Sequence, residues 1–169
     1  MKTRILTLVC FVALFMISQT GWAAFSIFLN MSNIAGDSVV SGHTADVVIQ
    51  NFALGTSHNT TNQPSFTLSL VKNVSLNSPA FAADCASGTT NQTATVSFYT
   101  SNGTLSTTAF YSVAVSNVVV TSDSVSGTAS GTTLTENISL SFKSITWTYV
   151  PQNGGGVYGT PIVTSYSSP

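Results

Sequence analysis

The sequence predicts a mainly all-β domain with one short α-helix, and three features of the chain lead there. Apolar residues recur at every second position in several separated stretches, the spacing of strands with one buried face. No long stretch repeats at 3.6 residues, which a core-facing helix requires. A single segment, residues 78–88, carries helix punctuation at both ends.

In chain order, Lys2 and Arg4 form a basic start, residues 5–17 an apolar run, and Gly21-Trp22-Ala23 places small residues where a signal peptidase cuts. A membrane-spanning helix needs about 20 apolar residues. Here Ser18, Gln19 and Thr20 interrupt the run. Residues 1–23 are therefore expected to be a secretory signal peptide and residues 24–169 the single mature domain. A lipoprotein site at Cys10 is disfavoured, because Val9 stands where a small residue belongs.

The first strand alternates Phe25, Ile27, Leu29 and Met31 with Ser26, Phe28 and Asn30. Phe66, Leu68 and Leu70 mark another, and Ala94, Val96 and Phe98 a third, while residues 47–52 are a less regular candidate. Two longer stretches change parity midway. Tyr111, Val113 and Val115 give way to Val118 and Val120, and Ile138, Leu140 and Phe142 give way to Ile145, Trp147 and Tyr149. One extra residue flips every later side chain, so a bulge or a change of packed environment is expected near Ser116-Asn117 and Lys143-Ser144. A central strand buried on both faces fits the same pattern.

In the helical segment Ser78 is expected as the N-cap, Pro79 suits the first turn, and Gly88 suits a left-handed C-terminal residue. Phe81 and Cys85, four apart, would face the sheet. Residues 122–133 and 154–156 are dense in Gly and Ser and read as loops.

A chain of 169 residues suits one domain with a real core. Charged residues make up only 5% of it, so solubility must rest on Ser, Thr and Asn. Without the N-terminal segment, Lys72 and Lys143 stand against Asp37, Asp46, Asp84, Asp123 and Glu136, a net charge of −3. Two cations cannot supply a nucleic-acid footprint. Signal cleavage would also remove Cys10, leaving Cys85 with no internal disulfide partner.

The most specific stretch is the last third, where Glu136, Lys143, Ile145, Trp147, Tyr149, Pro151 and Gln152 follow one another through a β-rich run. Glu, then Lys, then aliphatic-x-Trp-x-Tyr-x-Pro-Gln resembles the C-terminal signature of Hcp proteins of bacterial type VI secretion. Lys72, Ser78-Pro79 and Cys85-Ala86-Ser87-Gly88 are similar to that family's short helix and its flanks, and Ile34-x-Gly36-Asp37-Ser38 to its early turn. The resemblance covers essentially all of the mature chain. It implies a compact β-barrel with one short helix, joined edge to edge into a hexameric ring that stacks into a tube and carries effector cargo in its lumen. The connection at residues 56–65 is shorter than the extended loop by which family members touch the next ring, which implies weak or different stacking.

The expected protein is thus an exported, non-enzymatic structural subunit of the periplasm or medium. Its expected partners are copies of itself, a secreted effector or other type VI components, with no nucleic acid, no membrane after cleavage and no cofactor. Glu136, Lys143, Trp147, Tyr149, Pro151 and Cys85 are the structural or interface candidates. Glu136 suggests an ion pair or a cap, against an ordinary exposed acid. Trp147 and Tyr149 read first as core and second as subunit contact. Cys85 reads as a packed thiol rather than a nucleophile, and His43 and His58 as solvated loop histidines without metal-ligand spacing. The six Asn-x-Ser/Thr sites, at Asn30, Asn59, Asn73, Asn91, Asn102 and Asn137, read as products of composition unless the source is eukaryotic. An exported fimbrial or adhesin-type β subunit is the alternative, distinguished by fibres rather than rings.

Overall fold

A computed structural model describes residues 24–58, 64–101, 104–153 and 157–168. The expected signal peptide, the Asn59 and Asn102 sites and the loop at 154–156 lie outside these residues. The strands are β1 (Ala24–Met31), β2 (Val47–Ile49), β3 (Asn51–His58), β4 (Pro64–Asn73), β5 (Thr90–Ser101), β6 (Tyr111–Ser126), β7 (Thr135–Ser141), β8 (Ser144–Tyr149), β9 (Gln152–Asn153), β10 (Val157–Tyr158) and β11 (Ile162–Ser167). Among the described residues one helix, α1 (Ser78–Ser87), stands between β4 and β5. The mainly β class with a short helix is therefore what the chain adopts.

Nine strands form one antiparallel sheet in the order β2-β1-β5-β6-β7-β4-β3, with β8 on the first half of β6 and β11 outside β8. The hydrogen-bonded ladder does not close into the expected barrel. Its two ends are nevertheless consecutive in the chain: β2 pairs with β1, β3 pairs with β4, and only Gln50 separates them. The Gln50 N–H reaches Val71 O at 2.8 Å, so the sheet curls over one core while the strand changes partner. That change explains why the alternation in residues 47–52 was irregular.

The core is the inward face of β1, β4, β5, β6, β7 and β8: Leu29, Leu68, Leu70, Val96, Val113 and Ile145 are each almost completely buried. Phe25 departs from the expected pattern. It keeps the parity of Ile27 but lies beyond the core, 57% exposed.

The parity change is a passage from one packed environment into another rather than a bulge: β6 keeps one register with β5, and with β8 and then β7, on both sides of Asn117. Asn117 adopts a left-handed φ of 53°, and opposite it the β7–β8 line breaks at Lys143, whose N–H donates to Ser116 O at 3.0 Å. Val113, Val115, Val118 and Val120 all remain buried across this corner. The β6–β7 register then shifts between Val120 and Ser122. β6 continues to Ser126, well into the stretch expected to be loop. Solvent on both sides of its end removes the apolar period that sequence reading depends on, while pairing with β7 keeps the strand straight.

Helix α1 ends as expected on Gly88, with φ 66°. Its start differs: the cap position is Asn77, without a side-chain capping bond, and Ser78 is already helical. The Ser78 hydroxyl is engaged elsewhere, as described below. Phe81 is fully buried under the helix, and Cys85 is half-buried against the same core.

Candidate functional site

On β4, Leu68 and Leu70 occupy the core face, and the next position on that face is Lys72. On β7, Leu140 and Ile138 are followed in the same way by Glu136. The β4–β7 register sets Lys72 directly opposite Glu136, so two charges take places that alternation reserves for apolar residues. Both are sealed, at 1% and 0% exposure. Lys72 Nζ lies 2.5 Å from Glu136 Oε2 and donates also to Ser78 Oγ and Asn73 O, each at 2.9 Å. The Ser78 hydroxyl donates to Glu136 Oε2 at 2.5 Å and accepts the Ser75 N–H at 3.0 Å. Ser78 therefore pins the first turn of α1 to the ion pair, which is why it does not cap the helix.

Asp123, diagonal to Glu136 across β6 and β7, completes the cluster. Its carboxyl is within hydrogen-bonding reach of Glu136. Burial first, then the Glu136 charge and hydrogen bond, push the Asp123 carboxyl above the usual carboxylate range, with Lys72 opposing. Sequence reading singled out Glu136 but missed Asp123, because Asp123 fell in the stretch taken for loop.

A second buried polar group covers the outer face of β1. The loop from Gly36 to Asp46 folds back on itself through Gly36 N–H to Ala45 O at 2.6 Å and Ala45 N–H to Ser38 O at 3.1 Å. A Cβ on Gly36 would stand 2.0 Å from Asp46 C, so only glycine permits the approach. This fold presses His43 flat onto Phe28, with centroids 4.2 Å apart, and edge-on to Tyr99. His43 Nδ1 lies 3.1 Å from Asp46 Oδ2. His43 is thus 8% exposed rather than a solvated loop residue, because the outward Phe28 needs a cover. His58 ends strand β3 and is exposed.

The remaining candidates divide. Trp147 is half-buried beside Phe66, and Phe66 also touches Phe142 and Tyr166. Phe66, Trp147 and Tyr166, with Thr56, His58 and Thr164, edge an open groove of about 520 Å³ between the β3–β4 and β8–β11 strand pairs. Tyr149 is 47% exposed, and its β11 neighbours Ile162 and Val163 are 62% and 58% exposed. Lys143 is exposed at the corner, and Pro151 is half-buried. Among the described residues strand β11 bonds only to β8, which leaves its outer edge open. Neither β8 nor β11 contains a charged residue. Sequence reading missed β11, although the β-branched run Ile162-Val163-Thr164 after Pro161 is a strand signal. At the other end of the sheet, Phe25, Val40 and Val48 leave apolar surface around a groove of about 590 Å³.

Among the described residues no three His, Cys, Asp or Glu side chains gather as metal ligands. None of the described helices is long and apolar enough to cross a membrane.

A nine-stranded curled sheet, one helix tied down by a buried ion pair, and an uncharged open edge define a β-rich domain. The family described as type VI secretion system effector, Hcp, matches residues 28–149, and the chain belongs to that family. Its members are structural proteins of type VI secretion rather than an enzyme family. Among solved structures, a type six secretion system protein superposes with a TM-score of 0.78 at 24% identity, covering 85% of this chain and 96% of that one. Hcp1 from Salmonella typhimurium gives 0.73 at 23% identity over 85% and 94%. A type VI secretion system effector from Yersinia pestis gives 0.68 at 18% identity over 83% and 98%. No curated protein sequence matches the chain.

Proposed function

We propose that this chain is exported through a signal peptide cleaved after Ala23 and that its mature domain assembles with copies of itself into a ring, a hexamer by family likeness, that encloses effector cargo. The observation that carries the reading is the open edge of β11. Exposed edges are normally blunted by lysine, proline or a bulge. β11 has none of these within Ile162–Ser167, and apolar Tyr149, Ile162 and Val163 flank it. A second, different apolar surface lies at the far end of the sheet around Phe25 and Val48. Two unlike surfaces on one subunit favour head-to-tail contacts, which give a ring when the rotation closes.

The Ser, Thr and Asn side chains, with few charges, suit a hydrated lumen that holds cargo weakly. The Glu136 ion pair is read as the brace of the subunit, and Trp147, Tyr149 and Pro151 as the flank of its contact surface. Lys143 marks the corner, and Cys85 is a packing residue. Export is read from the basic start, the apolar run of residues 5–17 and the small residues of Gly21-Trp22-Ala23. The test is light scattering on residues 24–169 beside the same chain carrying Val163→Lys. A large particle for the first and a folded monomer for the second support the edge contact. Equal particle sizes would remove β11 from the interface.

A further inference from the structure

Two buried acceptor atoms in the cluster beneath α1 have no donor: Glu136 Oε1 and Asp123 Oδ1. A sealed carboxylate oxygen without a donor costs about 1–3 kcal/mol or more, so such an arrangement calls for a missing species. The charges say which one. Lys72 balances a single carboxylate, and its Nζ is already held by Glu136 Oε2, Ser78 Oγ and Asn73 O. One negative charge is left over. A divalent metal ion would overcompensate it beside the Lys72 ammonium, whereas one proton cancels it and gives both oxygens a partner.

We infer that Asp123 Oδ1 and Glu136 Oε1 form a proton-binding site, holding one shared proton that fastens β6 to β7 and, through Ser78, to the start of α1. The groups facing the site are Lys72 from β4, Glu136 from β7, Asp123 from β6 and Ser78 from α1. The next acid is Asp37, on the loop before β2, which Asn77 Nδ2 reaches at 3.4 Å. The inference does not depend on self-assembly.

The direction of pH dependence follows. The Asp123 carboxyl binds its proton more readily folded than unfolded. Its contribution to stability is therefore complete below the unfolded carboxylate range, about 3.9 for Asp, and is lost as pH rises through the raised folded value. Above that raised value the Asp123 carboxylate repels its neighbour and the tie to α1 weakens.

Glu136 is the only glutamate in the chain, so a glutamate labelled with carbon-13 at Cδ gives one resonance from the site. In the intact mature chain that resonance should report the neighbouring Asp123 proton as a single step, and the step should vanish in Asp123→Asn, whose amide donates permanently. As pH rises from the ordinary carboxylate range, urea midpoints should fall more in the parent chain than in Asp123→Asn. Asp123→Ser is the second variant, expected to lose the same step. A Glu136 resonance with no step, or the same step in all three chains, would overturn the site.

Discussion

Lys72 and Glu136 are mutually dependent, because each is sealed from water and neutralised chiefly by the other. Removing one partner leaves a buried charge, so Lys72→Met should lower the unfolding free energy by about 3–5 kcal/mol. The double change Lys72→Met with Glu136→Leu should restore much of that loss, since apolar pairs of similar volume replace buried ion pairs well. Equal losses in the single and double variants, measured by urea denaturation, would show that the pair does not act as a unit. Gly36→Ala tests close approach instead: its Cβ would meet the Asp46 backbone at 2.0 Å, and overpacking of this kind costs about 1–3 kcal/mol. At this scale the sequence was partly readable. Glu136 stood out by its place in a spaced motif, but its burial did not, since charge ordinarily marks a surface. His43 was misread for the same reason: a polar residue between Gly and Thr looks solvated until the outward Phe28 is found to need a cover.

Among the elements, the corner at Asn117 and Lys143 is where pattern and structure agree most closely. Four valines on β6 can all be buried only if the parity changes between Val115 and Val118, and the left-handed Asn117 does this. Asn117→Gly should be nearly neutral, whereas Asn117→Val should cost about 1–2 kcal/mol, the strain of a side chain branched at Cβ in that conformation. Phe81 plugs α1 onto the sheet with no exposure, and Phe81→Ala should cost about 3–5 kcal/mol in thermal or chemical unfolding. Both helix-end residues, Pro79 and Gly88, were legible because their backbone preferences are intrinsic. The end of β6, β11 and the division of β2 from β3 were not. These depend on a partner strand, and pairing partners leave little trace in a short uncharged stretch.

For the molecule as a whole, the alternation of apolar residues specified a β-rich domain but not how its sheet would close. The ladder stays open but curls at Gln50, where the chain leaves β1 for β4, and no local pattern announces a change of partner. The same sheet ends in an edge that water alone cannot satisfy as well as another strand can, and this edge lacks the charges that keep monomers apart. The account therefore turns on whether the mature subunit is self-complementary. Native mass spectrometry of residues 24–169, with negative-stain images of the same sample, measures this most directly. The account predicts closed annular particles of one defined subunit number, six by family likeness. A monomer persisting at high concentration, or open fibres in place of rings, would contradict it.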